Sequence, residues 1–166
     1  MASPRVLVKT LVFTLLVPGL VVVGLPWLLL RSADGPRLAL GAARWLGLLP
    51  VLSGAVVYLW TAWDFGEQEG TPAPIDEPRR LVTADLYERV RNPMYVGVLL
   101  VLVGEVVLFA SLVLLAYAVA VWLAFHLFVV GYEEPHLRRK FGREYVDYCE
   151  RVPRWLPRLR VEPGRR

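Results

Sequence analysis

Residues that could build a covalent or metal-based framework are scarce in this sequence. Its 166 residues include a single cysteine, Cys149, and two histidines, His126 and His136. One cysteine cannot form an internal disulfide, and these numbers are too small for a multi-cysteine zinc site or a histidine-rich metal site. A long Lys/Arg run interleaved with aromatic residues, typical of nucleic-acid-binding chains, is also lacking. We therefore expect neither a metal nor a nucleic acid among its partners.

Apolar residues, in contrast, are abundant and occur in long runs. They make up 56% of the chain, and the mean hydropathy is +0.47, above the apolar share of ordinary soluble domains. Charged residues gather in 64–93 and 133–166. This distribution predicts an all-α polytopic membrane protein in which residues 1–166 form a single integral-membrane domain.

Four apolar segments are candidate transmembrane helices, each of which needs about 20 mostly apolar residues. The first, 11–30, could also be a cleaved signal peptide, but its apolar core is long and no small-residue cleavage site follows, so we favour a retained anchor. The second is 39–63. The block that follows fits a helical hairpin of two helices, 95–109 and 112–132, joined by a tight turn near 109–111.

The basic residues predict how this arrangement is oriented. With four spans, the N-terminus, the 64–93 loop and the 133–166 tail share one side, which carries sixteen of the nineteen Lys and Arg residues. The positive-inside rule places that side in the cytoplasm. We expect an integral protein of a bacterial-type inner or plasma membrane with both termini cytoplasmic. Orientation and contact with anionic lipid could be the whole role of the basic tail.

A polar segment precedes the predicted hairpin. In 86–97, LYERVRNPMYVG, Pro93 disfavours helix at Asn92, so a helix begins just after it. The free N–H groups of that helix start would lie beside Arg91 and Tyr95 and form a polar niche at the membrane surface. The alternative is an arginine that snorkels, an asparagine that caps the helix and a tyrosine that anchors it at the interface.

A second polar segment follows the hairpin. Gly131 and Pro135 are expected to bend or break the helix as it leaves the bilayer, which places the acidic pair Glu133 and Glu134 at the break. Solvation by water is the alternative for both carboxylates. Beyond the break, apolar and aromatic residues recur at the spacing of one face of an amphipathic helix, which we expect to lie along the membrane surface. They are Leu137, Phe141, Tyr145 and Tyr148.

A hairpin brings its two ends together, so Arg91–Tyr95 should approach Glu133 and Glu134 in one pocket at the cytoplasmic interface. Adjacent carboxylates can accept hydrogen bonds from a ribose diol or an ammonium group. His126 lies seven residues before Glu133, two turns away on the same helix face. It could hydrogen-bond into the pocket or be a histidine satisfied within the bundle.

The two polar segments resemble the integral-membrane methyltransferases typified by isoprenylcysteine carboxyl methyltransferase, with phospholipid N-methyltransferases as neighbours. That family shows R-H-P-x-Y-x-G, then E-E-x-x-L-x-x-x-F-G-x-x-Y-x-x-Y before a V-P segment, and the resemblance covers about 80–160. The matching residues are Arg91, Pro93, Tyr95, Gly97, Glu133, Glu134, Leu137, Phe141, Gly142, Tyr145, Tyr148, Val152 and Pro153.

The resemblance implies S-adenosylmethionine as methyl donor and a lipophilic acceptor that enters from the lipid, either an isoprenylcysteine-like carboxylate or a lipid. The candidate catalytic residues are Arg91, Asn92 and Glu134. The residues implied in cofactor binding are Asn92, Pro93, Tyr95, Gly97, Glu133, Glu134, Tyr145 and Tyr148, and position adds His126.

The sequence departs from the family at one position, since Asn92 replaces the histidine of R-H-P. Asparagine donates and accepts hydrogen bonds but takes up no proton near neutral pH. A carboxylate acceptor needs no base, so the change leans toward O-methylation. Two alternatives remain, a nicotinamide-dependent membrane reductase of the sterol-reductase type and a non-catalytic membrane scaffold.

Overall fold

The computed structural model describes residues 12, 14, 16–32, 35–67, 81 and 83–158, and side chains are described over the same ranges except 64–67. The described residues form six α-helices and no strand apart from one isolated bridge. They are α1 (Leu25–Ser32), α2 (Leu48–Glu67), α3 (Pro93–Phe109), α4 (Leu112–Phe128), α5 (Glu134–Phe141) and α6 (Arg143–Arg151). The all-α prediction is thus confirmed for this part of the chain.

Shorter helical turns join several of these helices. A π-helical turn, Leu20–Gly24, leads into α1, and a 3-10 helix, Gly41–Gly47, leads into α2. A 3-10 turn, Asp85–Glu88, precedes α3, and a second π turn, Val129–Glu133, links α4 to α5. The predicted first span begins outside the described residues. Residues 68–80 and 82 of the 64–93 loop and 159–166 of the 133–166 tail also lie outside them.

Helices α3 and α4 form the predicted hairpin, and its turn lies where the sequence placed it. Helix α3 ends at Phe109, and the next residue, Ala110, adopts a left-handed backbone conformation (φ 50°) that closes the helix. Ser111 then caps α4, its Oγ accepting a hydrogen bond from the N–H of Leu114 at 3.3 Å. The segment before α2 crosses this turn, because Arg37 and Ser111 form an isolated antiparallel bridge. The turn therefore lies at the opposite end of the hairpin from Asn92.

Helix α2 and the 3-10 helix before it pack against α3 through two pairs of glycines spaced seven residues apart, Gly47 and Gly54 on one side and Gly97 and Gly104 on the other. A Cβ atom added to Gly54 would lie 2.5 Å from the carbonyl oxygen of Gly97, and one added to Gly47 would lie 2.5 Å from that of Gly104. The antiparallel helices thus approach backbone to backbone, which only glycine permits. This contact fixes α3, whose first residues carry the candidate site.

The core of the helical bundle joins α2, α3 and α4. Its buried residues are Tyr58, Ala62, Val98, Leu102, Val106, Leu114 and Ala118. Most other apolar side chains stay on the outside: only 28% of the apolar window in Gly41–Trp63 and 17% of that in Leu112–Phe141 is buried. An apolar exterior of this kind is typical of helices in a bilayer.

Among the described residues, two helices are long and apolar enough to cross a membrane, Gly41–Trp63 and Leu112–Phe141. The other apolar helices, Leu20–Ser32 and Pro93–Phe109, are shorter. These features suggest a membrane protein.

The C-terminal part differs from its prediction in two respects. Gly131 and Pro135 do not break the helix, since Leu112–Phe141 is continuous, with Gly131 inside the π turn and Pro135 in the first turn of α5. The expected single amphipathic helix is two helices, because Gly142 between α5 and α6 has a φ of 56°, which redirects the chain. The four predicted face residues still share one cluster around Tyr145 and Tyr148.

Candidate functional site

The start of α3 is held by contacts to the residues that follow α6. Asn92 precedes the helix, yet its side chain makes no capping hydrogen bond. Its Nδ2 instead donates to the carbonyl oxygen of Arg154 at 3.1 Å. The backbone N–H of Arg91 donates to the carbonyl oxygen of Pro153 at 2.9 Å, and Pro93 is fully buried. The Asn-Pro turn is thus fixed between the hairpin and the C-terminal segment.

Glu134 lies at the centre of an ion cluster with two arginines. Its side chain is 6% exposed. Arg91 Nη1 donates to Oε1 at 2.8 Å, while Arg154 donates from Nε to Oε1 at 2.6 Å and from Nη2 to Oε2 at 2.9 Å. The fork of Arg154 therefore takes both carboxylate oxygens, a geometry that adds strength and specificity. Arg138, four residues on, is 3.8 Å away and 56% exposed, so it contributes little.

The cluster holds more positive than negative charge. Arg91 and Arg154 face the single carboxylate of Glu134, and the buried Nε of Arg91 has no hydrogen-bond partner among the described residues. Arg91 also donates from Nη1 to the sulfur of Cys149 at 3.2 Å. The hydrogen bond to Glu134 raises the pKa of Arg154 above its ordinary value. A second anionic group would suit this excess of cation.

Glu133 makes a different contact from its neighbour. Its Oε2 accepts a hydrogen bond from the hydroxyl of Tyr95, on the first turn of α3, at 3.2 Å. The ring of Tyr95 packs on Phe125 of α4, with centroids 4.7 Å apart. The two ends of the hairpin therefore meet, and the predicted approach of Arg91–Tyr95 to the acidic pair is confirmed.

His126 bonds to a residue that the sequence did not single out. Its Nδ1 accepts a hydrogen bond from Trp155 Nε1 at 3.2 Å, which leaves the ring proton on Nε2. Its ring also stacks on Trp122, with centroids 5.5 Å apart. The π turn inserts about one extra residue between His126 and the acidic pair. His126 therefore shares a helix face with Glu134 instead of Glu133. Adjacent residues of the C-terminal segment, Arg154 and Trp155, accordingly reach Glu134 and His126.

Tyr145 and Tyr148 pack together on α6, with ring centroids 6.1 Å apart, and both are buried. The hydroxyl of Tyr148 donates to the carbonyl oxygen of Tyr87 at 2.8 Å, which holds the segment before α3. Burial raises the pKa of both tyrosines, so both remain protonated at neutral pH. They support the ion cluster from the side of α6.

Gly97 faces away from this cluster. A side chain at this position would point toward α2, where a Cβ would lie 2.9 Å from Gly54 O and 2.9 Å from Tyr58 N. Packing between helices accounts for this glycine, and its role in cofactor binding stays a prediction. The residues that sequence reasoning missed are Arg154 and Trp155, which stand immediately after the matched Val152 and Pro153.

Comparison with known sequences defines the class of protein to which this helical arrangement belongs. The sequence model of the phospholipid methyltransferase family matches residues 42–144, more than half of the chain. The chain belongs to this family.

Individual relatives are isoprenylcysteine methyltransferases. The chain is 41% identical over 83 residues to protein-S-isoprenylcysteine O-methyltransferase B of Arabidopsis thaliana, covering 49% of this chain and 42% of that protein. It is 36% identical over 83 residues to a probable protein-S-isoprenylcysteine O-methyltransferase of Oryza sativa subsp. indica, covering 49% and 43%. It is 38% identical over 78 residues to the Mus musculus protein-S-isoprenylcysteine O-methyltransferase, covering 46% and 27%. The match thus spans less than half the length of each of these relatives.

Proposed function

We propose that this chain is an S-adenosylmethionine-dependent methyltransferase that acts on a lipophilic acceptor at the cytoplasmic face of a membrane. The observation that carries this proposal is the meeting of the two hairpin ends, where Arg91 contacts Glu134 and Tyr95 contacts Glu133. Membership of the phospholipid methyltransferase family supports it. The contacts between the hairpin ends are made by residues of the family motif.

In the proposed membrane arrangement, the chain crosses four times as one domain, with both termini in the cytoplasm of a bacterial-type inner or plasma membrane. Helix α3 has 17 residues, which span about 25 Å at the rise of an α-helix and approach the thickness of a hydrocarbon core. Helices α5 and α6 would lie at the interface, because Arg138, Arg139, Lys140 and Arg143 are exposed there.

The polar groups of S-adenosylmethionine fit the charges of the cluster. Its carboxylate would be received by Arg91, whose buried Nε has no hydrogen-bond partner among the described residues. Its ammonium or ribose hydroxyls would be received by Glu133, beside Tyr95. Asn92 and Pro93 would hold the turn beneath it, and the remaining proposed cofactor residues, Gly97, His126, Glu134, Tyr145 and Tyr148, would shape and support the site.

The acceptor we propose is a carboxylate on an isoprenylcysteine-like molecule. When bound, S-adenosylmethionine would supply a methyl group already activated on a sulfonium. The chain then has to align the two reactants and exclude water, for which a site at the edge of the lipid is suited. Asn92 accepts no proton, so an acceptor that is already an anion is favoured over an ammonium-type amine. The names of the relatives agree with this choice.

Isothermal calorimetry on the detergent-solubilised protein tests the donor. We expect S-adenosylhomocysteine to bind and NADPH to give no heat; the reverse result would favour a reductase, and no heat from either would favour a scaffold. Glu133→Gln should weaken S-adenosylhomocysteine binding by about tenfold, since it replaces an ionic contact with a neutral one. Glu144→Gln, at an exposed position of α6, is the matched control and should bind as the parent does.

Transfer of a labelled methyl group tests the acceptor. A farnesylated cysteine with a free carboxylate should be labelled, whereas its methyl ester, already blocked, should not. Vesicles containing phosphatidylethanolamine provide the amine alternative. Labelling of the amine and not of the free carboxylate would refute O-methylation while leaving the methyltransferase proposal intact.

A further inference from the structure

The C-terminal segment 153–158, called the strap below, is bound at several points to both ends of the hairpin. Its backbone pairs with the segment before α3 twice: Arg91 N–H donates to Pro153 O at 2.9 Å, and Arg158 N–H donates to Arg89 O at 3.0 Å. The strap lies beyond residues 42–144, the part of the chain that the family model matches.

Two adjacent strap side chains bind the helix that carries the acidic pair. One contact lies before the π turn Val129–Glu133 and the other lies after it. Trp155 bonds to His126 before the turn, and Arg154 takes both oxygens of Glu134 after it. A π turn is rare within α-helices and occurs frequently at functional sites. Fixing the residues on both sides of it fixes the rotation of the turn, and hence the direction of Glu133.

We propose that Arg154 and Trp155 are positioning residues of the methyl-donor site: by clamping the π turn they hold Glu133 against Tyr95 in the geometry that receives the donor. This inference rests on the proposed function. Neither residue need touch the donor, because their effect passes through the turn. A carboxylate displaced by about an ångström loses much of its contribution to binding, so a clamp acting at a distance has a measurable effect.

The chemistry of the two strap residues makes the proposal specific. Lysine at position 154 would retain the positive charge but not the planar fork that engages both oxygens of Glu134. Phenylalanine at position 155 would retain an aromatic ring but lose the N–H that bonds to His126. Arg154→Lys and Trp155→Phe therefore remove these two contacts while conserving the positive charge and an aromatic ring, respectively.

The experiment measures S-adenosylhomocysteine affinity by calorimetry and amide hydrogen exchange across 129–134 in the same full-length, detergent-solubilised variants. Arg151→Lys is the matched control, because Arg151 is exposed and its Nε donates to Asp147 O within α6. We expect each strap variant to bind roughly tenfold more weakly and to exchange faster at the π turn, while the control matches the parent in both.

Each other outcome decides the question. Unchanged affinity in both strap variants would overturn the proposal even if their melting temperatures fell, since a purely structural role moves stability alone. Weaker affinity with unchanged exchange at 129–134 would also overturn it, because the effect would not pass through the turn. If the parent binds no S-adenosylhomocysteine, the proposed function fails and the inference falls with it, a result distinct from the other two.

Discussion

Replacing Gly97 by alanine tests whether close helix packing positions the site. The added Cβ would lie 2.9 Å from Gly54 O, 2.9 Å from Tyr58 N and 3.2 Å from Tyr58 Cα, all backbone atoms that cannot rotate away. Ordinary contacts begin near 3.4 Å, so α2 and α3 must separate by about half an ångström. Overpacking of this kind costs about 1–3 kcal/mol, offset by up to about 1 kcal/mol from the higher helix propensity of alanine.

The matched control for propensity is Gly131→Ala, since a Cβ at Gly131 meets nothing within 4 Å. It gains helix propensity without a clash. In thermal unfolding in detergent, the free energy of unfolding of Gly97→Ala should therefore be about 2 kcal/mol lower than that of Gly131→Ala. Equal stability of the two variants would refute the close approach of α2 and α3.

Gly54→Ala separates packing from a direct cofactor contact at Gly97. Its Cβ would lie 2.5 Å from Gly97 O and 2.8 Å from Val101 N, so it pushes on the same helix from the other side. Displacing α3 moves Tyr95 away from Glu133, and both variants should then bind S-adenosylhomocysteine more weakly. Loss of affinity in Gly97→Ala alone would show instead that the donor approaches Gly97 itself.

Two further predictions concern buried polar contacts, both measured by unfolding in detergent. Glu134→Ala leaves two guanidiniums without their shared carboxylate and should cost about 3 kcal/mol, against little change for Glu150→Ala at an exposed position; similar losses in both would contradict the ion cluster. Tyr148→Phe leaves the carbonyl of Tyr87 without its donor and should cost about 1 kcal/mol at neutral pH. Burial raises the pKa of Tyr148, so its contribution to the free energy of unfolding is complete below a pH of about 10 and declines as the pH rises above that value. Above a pH of about 10, the variant should therefore lose less stability than the parent does.

The sequence predicted those parts of the fold that depend on hydrophobic runs and local turn chemistry. The hairpin turn at Ala110 and Ser111 was predicted because a run too long for one helix had to reverse there. The π turn could not be predicted, because Gly131 and Pro135 signal a disruption without saying whether the helix bends, breaks or continues. Likewise, the 4, 4 and 3 spacing around Phe141 and Tyr145 fits one helix as well as two that share a cluster, and only the backbone angle of Gly142 decides.

Within the candidate site, sequence reasoning found the two segments that meet but not the partners of each side chain. A hairpin must bring Arg91 near Glu134, and that contact follows from topology alone. Arg154 could not be assigned, because its backbone follows α6 and its approach depends on how the chain turns at Gly142. Arg138 follows Glu134 by four residues on the same helix, yet the short contacts come from Arg91 and Arg154, which are farther away in the sequence.

The different partners of Glu133 and Glu134 also explain why two carboxylates stand side by side. Neighbouring residues on a helix point in directions about 100° apart, since a turn takes 3.6 residues, so they cannot serve one partner. Glu134 faces the strap and is neutralised by Arg91 and Arg154, whereas Glu133 faces Tyr95 on α3. The pair therefore joins three elements at one place: Glu133 meets Tyr95 on α3, while Glu134 meets Arg91, just before α3, and Arg154 of the C-terminal segment. An acidic residue at position 134 alone would keep the contacts to the two arginines but lose the contact to Tyr95, and the first turn of α3 would then lack its bond to the end of the hairpin.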